Sequence, residues 1–216
     1  NKPFNNNCRG IAMECITENN DLVKAADYGN MAFATLVQNA TCIDDLSANG
    51  DQLTSLLKDF IKWSDNTPVA AIKTSHILKS SQEAMADFII SWYTPNISFP
   101  NKSPNQGMTV EDADFNYYTV NFSDAAAVAD YIAKKYKSLK KQTFLWQKTW
   151  YDSTLPWWFL ERTFLNISTL ATSTTHRFRS GRFYAWEGVG CCHGTCTHVY
   201  QYTQAMSRIF PELERD

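Results

Sequence analysis

The chain has 216 residues, 44% of them hydrophobic and 19% charged. That balance excludes a disordered polymer, and the length is ample for a sizeable core. Twenty basic against twenty-two acidic side chains give a formal net charge of -2, which argues against the electrostatic footprint of a nucleic-acid binder, so no nucleic-acid partner is expected. No apolar run approaches the roughly 20 residues of a membrane-spanning helix, so no transmembrane segment is expected either.

In chain order, "GIAMECIT" (10–17), "GNMAFATLV" (29–37) and "AMADFIISWY" (84–93) are rich in apolar, β-compatible residues and predict strands. Between them, "GDQLTSLLKDFIKW" (50–63) spaces Leu53, Leu56, Leu57, Phe60 and Ile61 as one face of a helix. "TPNISFPNKSPNQG" (94–107) crowds Pro, Asn, Ser and Gly into a loop or domain boundary. Ser123 and Asp124 then carry N-cap chemistry ahead of Val128, Tyr131, Ile132, Tyr136 and Leu139, which predicts a second helix. A third follows Pro156, with Leu160, Phe164, Ile167 and Leu170 recurring every three or four residues. Asp152 and Ser153 stand before it as a helix-entry signal. A last helix passes through Val199, Tyr202, Met206, Ile209 and Phe210. The expected organisation is a β-rich domain over 1–105, a linker over 106–122 and a helical domain over 123–216. The chain starts without Met and ends in "IFPELERD", so the expectation is a piece of a longer protein.

Chemistry concentrates in "RFYAWEGVGCCHGTCTHVYQY" (182–202), with Glu187, Cys191, Cys192, His193, Cys196 and His198 among glycines 188, 190 and 194. Glycines allow a tight loop to line a pocket, and no phosphate-loop pattern is present. Glu187, Cys192, Cys196 and His198 form one candidate shell for zinc. A thiolate at Cys191 or Cys192, lowered in pKa by a metal or by His193, is a candidate nucleophile. Buried small side chains, a local disulfide or incidental loop positions account for the same cysteines without function, and from the residues alone Glu187 reads as a turn carboxylate that caps backbone N–H groups. His176, Arg177 and Arg179 read as a solvated helix end whose cations meet the C-terminal dipole. Trp157 and Trp158 read as core aromatics.

The order "FIISWYTPN", "NYYTVNFSDAAAVADYIAKKYKSL", "TFLWQKTWYDSTLPWWFLERTFLNISTL" and "SGRFYAWEG" resembles glycoside hydrolase family 116, the non-lysosomal glucosylceramidase and β-glucosidase group. The resemblance covers roughly 70–215, with the first seventy residues matching loosely. It implies an α+β two-domain fragment: the C-terminal part of a β-sandwich followed by the first helical hairpins of a six-hairpin α/α barrel. It also implies a retaining, exo-acting β-glycosidase on a carbohydrate or glycoside substrate, with Glu187 of the Glu-Gly element as nucleophile. Tyr184, Trp186, Thr197 and His198 would line the sugar subsite. His198 stands where relatives carry a sugar-binding Asp. The family's acid/base Asp lies beyond Asp216, and Asp152 and Glu161 are expected to brace the barrel rather than replace it. No cofactor is expected on this reading. The alternatives are a zinc-held cysteine nucleophile, by architectural analogy with other α/α-barrel glycosidases, and a non-catalytic carbohydrate-binding relative.

Overall fold

The structure is a computed structural model and describes residues 1–45, 69–97, 115–172, 174–185 and 204–215. It is mixed α+β with antiparallel sheets, and the described residues fall into two compact units. The helix expected over 50–63 and most of the 94–107 loop lie outside the described residues.

The first unit comprises Asn1–Val23, Tyr28–Thr94 and Phe122–Leu139. Strands β1 (Lys2–Asn5), β2 (Arg9–Glu14) and β3 (Asn30–Thr35) lead to a two-stranded antiparallel ladder of β4 (Thr41–Ile43) and β5 (Ala71–Lys73). Strand β6 (Phe88–Tyr93) returns to complete an antiparallel sheet in the order β1-β2-β3-β6. The three strands read from the sequence are β2, β3 and β6. A one-turn helix, α1 (Asn20–Val23), sits in the β2–β3 connection.

The register sorts side chains by size. Gly10 pairs with Ala34 and Ala34 with Ile89, while Ala12 pairs with Ala32 and Ala32 with Ser91. Alternation puts these small residues on one face. Helix α2 (Ala125–Tyr151) brings the buried Ala125 and Ala129 to this unit. Cys8, Ala34, Ile89 and Ala129 form the buried cluster, with Phe4, Leu36, Ile132 and Ala133 packed around it. Small residues on both elements permit close approach. Within the sheet, Gly10 has no room for a side chain: a Cβ there would stand 2.5 Å from the Phe4 ring and 2.7 Å from the Ala34 Cβ of its neighbouring strands. On the opposite face, Phe33 stacks on Phe88 at 5.5 Å, and Ile90 and Trp92 are exposed.

The helix start is held by side chains, as the Ser123–Asp124 signal predicts. Asp124 Oδ1 accepts the Ala127 N–H at 2.7 Å, which caps the first turn. Asn30 Oδ1, from β3, accepts the Ala125 N–H at 2.6 Å, and Ser91 Oγ, from β6, donates to the Ala125 carbonyl at 2.8 Å. One turn on, the Asp130 carboxylate accepts both the backbone N–H of Asn7 (2.7 Å) and its side-chain amide (2.9 and 3.0 Å). These bonds fix where the helix lies on the sheet.

The second unit comprises Lys24–Asp27, Pro95–Asn121 and Lys140–Asp216. It contains a 3-10 turn (Tyr117–Val120), the end of α2, helix α3 (Trp157–Thr163), a 3-10 stretch (Leu165–Ala171), a hairpin of β7 (Thr175–Arg177) and β8 (Phe183–Ala185), and helices α4 (Gln204–Ile209) and α5 (Pro211–Arg215). Where the sequence predicts one helix after Pro156, the α-helix stops at Thr163. Phe164 leaves helical geometry at φ -132°, and "LNISTLA" continues as 3-10. Ser, Thr, Asn and Ile are poor helix formers, because they lose rotamers or compete for backbone bonds. The entry also differs from expectation. Pro156 is the cap, Ser153 Oγ accepts the Leu155 N–H at 3.2 Å, and Asp152 pairs with Lys148 at 3.6 Å at the end of α2. Pro156 has φ -57°, already suited to a helix start, so a side-chain cap is dispensable.

Aromatic rings make the second unit's contacts. Trp150 meets Trp146 edge-on and stacks on Phe164, both at 4.9 Å, and Phe164 is reached by Phe159 at 6.4 Å. Trp157 and Trp158, expected in a core, are 54% and 67% exposed. Trp157 tilts against Tyr151 and Trp158 meets Phe159 edge-on, and both indoles stay largely open. The final helix read from the sequence is two short ones among the described residues, separated at Pro211, whose ring carries no N–H to continue the ladder.

Candidate functional site

The segment that leads to the Glu-Gly element is the β7–β8 hairpin. Thr175 pairs with Ala185, His176 with Tyr184 and Arg177 with Phe183. The reversal is closed by Phe178 N–H to the Arg182 carbonyl and Gly181 N–H to the Phe178 carbonyl, each 2.8 Å. Gly181 has φ +101°, the left-handed region that a side chain resists, so glycine is what lets this turn close. Phe178 is fully buried and meets Tyr184 edge-on at 5.4 Å.

His176 and Arg177 therefore lie in a strand and Arg179 just past it, not at a helix end. The α-helix has stopped at Thr163 and the 3-10 stretch at Ala171, and from Thr175 the chain pairs with β8. Arg177 lies over the Tyr117 ring at 3.7 Å, and Arg179 over the Phe115 ring at 5.8 Å. Their partners come from "FNYY" (115–118), joined to the hairpin by the antiparallel Asn116–Phe178 bridge and by the Arg179 N–H to Phe115 carbonyl bond of 2.9 Å. The sequence does carry a signal for this. Phe115 and Tyr117 alternate at the same period as Arg177 and Arg179, but without the pairing nothing sets one run against the other.

Of the residues expected at the site, Tyr184 is described: it is buried on β8, with the Arg182 guanidinium 5.9 Å from its ring. Trp186, Glu187, Thr197 and His198 lie outside the described residues, as do Cys191, Cys192, His193 and Cys196. β8 ends at Ala185, two residues before Glu187 in the chain. Among the described residues, no group of three or more His, Cys, Asp or Glu side chains is placed to hold a metal. Asp152 and Glu161 are exposed.

The first unit holds an open cleft of about 320 Å³ lined by Phe4, Arg9, Ala40, Thr41 and Cys42 among others. Arg9 Nη1 donates to the Ala40 carbonyl at 2.9 Å there. Burial raises the Cys42 thiol pKa against an opposing pull from Arg9, so the thiol stays protonated at neutral pH. Cys8, wholly enclosed, is pushed up to about 11, by burial first and by the Asp130 carboxylate second. Neither thiol has the depressed pKa of a nucleophile.

Among the described residues, no helix is long and apolar enough to cross a membrane. Residues 2–139 match the family described as beta-glucosidase 2, glycosyl-hydrolase family 116 N-term. The match takes in the first seventy residues, which the resemblance had covered only loosely. The fold shows why they belong with the rest: β1, β2 and β3 come from them and pair into one sheet with β6. The match ends at residue 139, where the last segment of the first unit also ends.

Proposed function

The chain belongs to glycoside hydrolase family 116, and from that premise we propose that it serves a retaining, exo-acting β-glycosidase with Glu187 as the nucleophile. The supporting observation is the β7–β8 hairpin: a buried Phe178–Tyr184 pair and a turn closed at Gly181 give a firm strand whose next residues are Trp186 and Glu187. A nucleophile gains from such rigid mounting, because its attack distance must be held closely.

In this reading Glu187 is ionised and attacks the anomeric carbon. A second, protonated carboxyl about 5–5.5 Å away gives its proton to the departing glycosidic oxygen, and the same group then activates the water that releases the sugar. Tyr184, Trp186, Thr197 and His198 line the sugar subsite, Tyr184 from the packed side of the hairpin. His198 brings an imidazole in place of a carboxylate, so this subsite grips hydroxyls as donor or acceptor according to its protonation. In this reading the β-unit, with the start of α2 packed on it, is part of a sandwich, and the helices of the second unit open the α/α barrel.

The test is to treat the intact protein with activated 2-deoxy-2-fluoro glycosides and locate the labelled peptide by mass spectrometry. A label on Glu187 is the expected result and names the sugar at the same time. A label on Cys191 or Cys192 overturns the assignment in favour of a thiolate nucleophile. Turnover that survives Glu187→Gln overturns it as well.

A further inference from the structure

We propose that Arg177 and Arg179 form a binding site for a phosphate group. The antiparallel Asn116–Phe178 bridge sets Tyr117 across from Arg177 and Phe115 across from Arg179, both pairs on one side of the ladder. The two guanidiniums lie over their rings at 3.7 and 5.8 Å. Arg177 ends the strand and Arg179 opens the turn, with only the bridged Phe178 between them.

Arg177 Nε–H donates to the Gly181 carbonyl at 3.3 Å, which fixes the plane of that side chain, and Arg179 is exposed at the turn. A guanidinium whose face is covered by an aromatic ring still offers its N–H edge, in the planar fork that suits phosphate oxygens. The ion pairs among the described residues, Lys2–Glu14 and Lys148–Asp152, involve neither arginine. Two like charges on one side of the ladder repel, and an anion between them relieves that repulsion. A phosphate monoester carries about two negative charges and three acceptor oxygens, enough for both forks, whereas one carboxylate suits a single fork. The proposal stands on the second unit alone and is independent of the glycosidase reading.

The experiment titrates the full chain with inorganic phosphate at constant ionic strength and follows the Arg177 and Arg179 Nε–H signals by NMR, with chloride as the control. Saturable shifts of both signals with phosphate are expected. Arg177→Gln or Arg179→Gln should each weaken binding by about tenfold, as for loss of a charge-assisted hydrogen bond. Arg177→Lys keeps the charge but loses the fork and should also weaken it. Shifts no larger than those with chloride overturn the proposal. So does a folded Arg177→Gln/Arg179→Gln double variant, checked by circular dichroism, that titrates like the parent. If the Gln variants unfold the hairpin, the parent titration and the Lys variant still decide. Phosphatidylcholine vesicles with and without a phosphomonoester lipid separate the sources. Co-sedimentation with the phosphomonoester vesicles assigns the site to a lipid headgroup, and phosphate binding without it assigns a soluble phosphorylated ligand.

Discussion

At the start of α2, three side chains from three places in the chain converge on one helical turn: Asp124 caps it, Asn30 accepts from Ala125 and Ser91 donates to it. In the second unit the comparable work is done by rings. Trp146, Trp150 and Phe164 pack in series, and Tyr117 and Phe115 carry the cations of the hairpin. The difference teaches how each unit resists change. Short polar bonds and small residues at close approach tolerate almost no added volume, whereas the ring contacts are sensitive to truncation, which removes their large packing area.

If Glu187 is the nucleophile, as proposed, its loss should remove activity and leave the packing of both units intact, so the sharpest challenge is Glu187→Gln in the intact protein. Its turnover should fall about a thousandfold or more with the melting temperature unchanged. A fall in stability of the same variant would break that expectation.

Gly29→Ala should act the other way, because its Cβ would run into the carbonyl of Tyr93, and backbone cannot rotate aside. About 3 kcal/mol of destabilisation is expected in urea titration. Parent-like stability there would show that β3 and β6 approach less closely than the geometry requires.

Cys8 supplies a pH handle on the first unit. Its folded pKa, about 11, stands above the ordinary 9.0, so the folded state holds the proton more tightly. The associated stability is fully present below pH 9 and is lost as the pH rises towards 11, about 2 kcal/mol in all. Equilibrium unfolding at pH 8 and pH 10.5 should show the loss, and Cys8→Ala should remove most of it.

Asp124→Ala leaves the Ala127 N–H without its cap and should cost about 1 kcal/mol. The smallest effect is expected in the second unit. Lys148→Ala breaks an exposed i,i+4 pair with Asp152 and should change stability by under about 0.5 kcal/mol.

Periodicity found β2, β3, β6 and the start of α2, because each has one buried face and so an alternating or helical stripe. It missed β1, β4 and β5, which are three or four residues long and are strands by virtue of their partners. It ran α3 on past Thr163, because Phe164, Ile167 and Leu170 keep a helical period although the backbone around them has turned to 3-10. At the candidate site, the family resemblance singled out the Glu-Gly element, whereas residue types alone suited a turn carboxylate as well, and Glu187 lies outside the described residues. The arginine–aromatic ladder was not legible, since its members lie some sixty residues apart and meet through one bridge between Asn116 and Phe178.

By itself the sequence determined the mixed class, the cap at Asp124 and the order of elements that carries the family likeness, for these depend on neighbours within a few residues. Tertiary structure alone decided that β1, β2 and β3 share one sheet with β6, that Cys8 is sealed beneath α2, and that Arg177 and Arg179 rest on rings rather than ending a helix. The physical reason is common to all three: pairing across a long loop depends on which surfaces fit and on which buried polar groups find partners, and residue type records neither until the chain has folded.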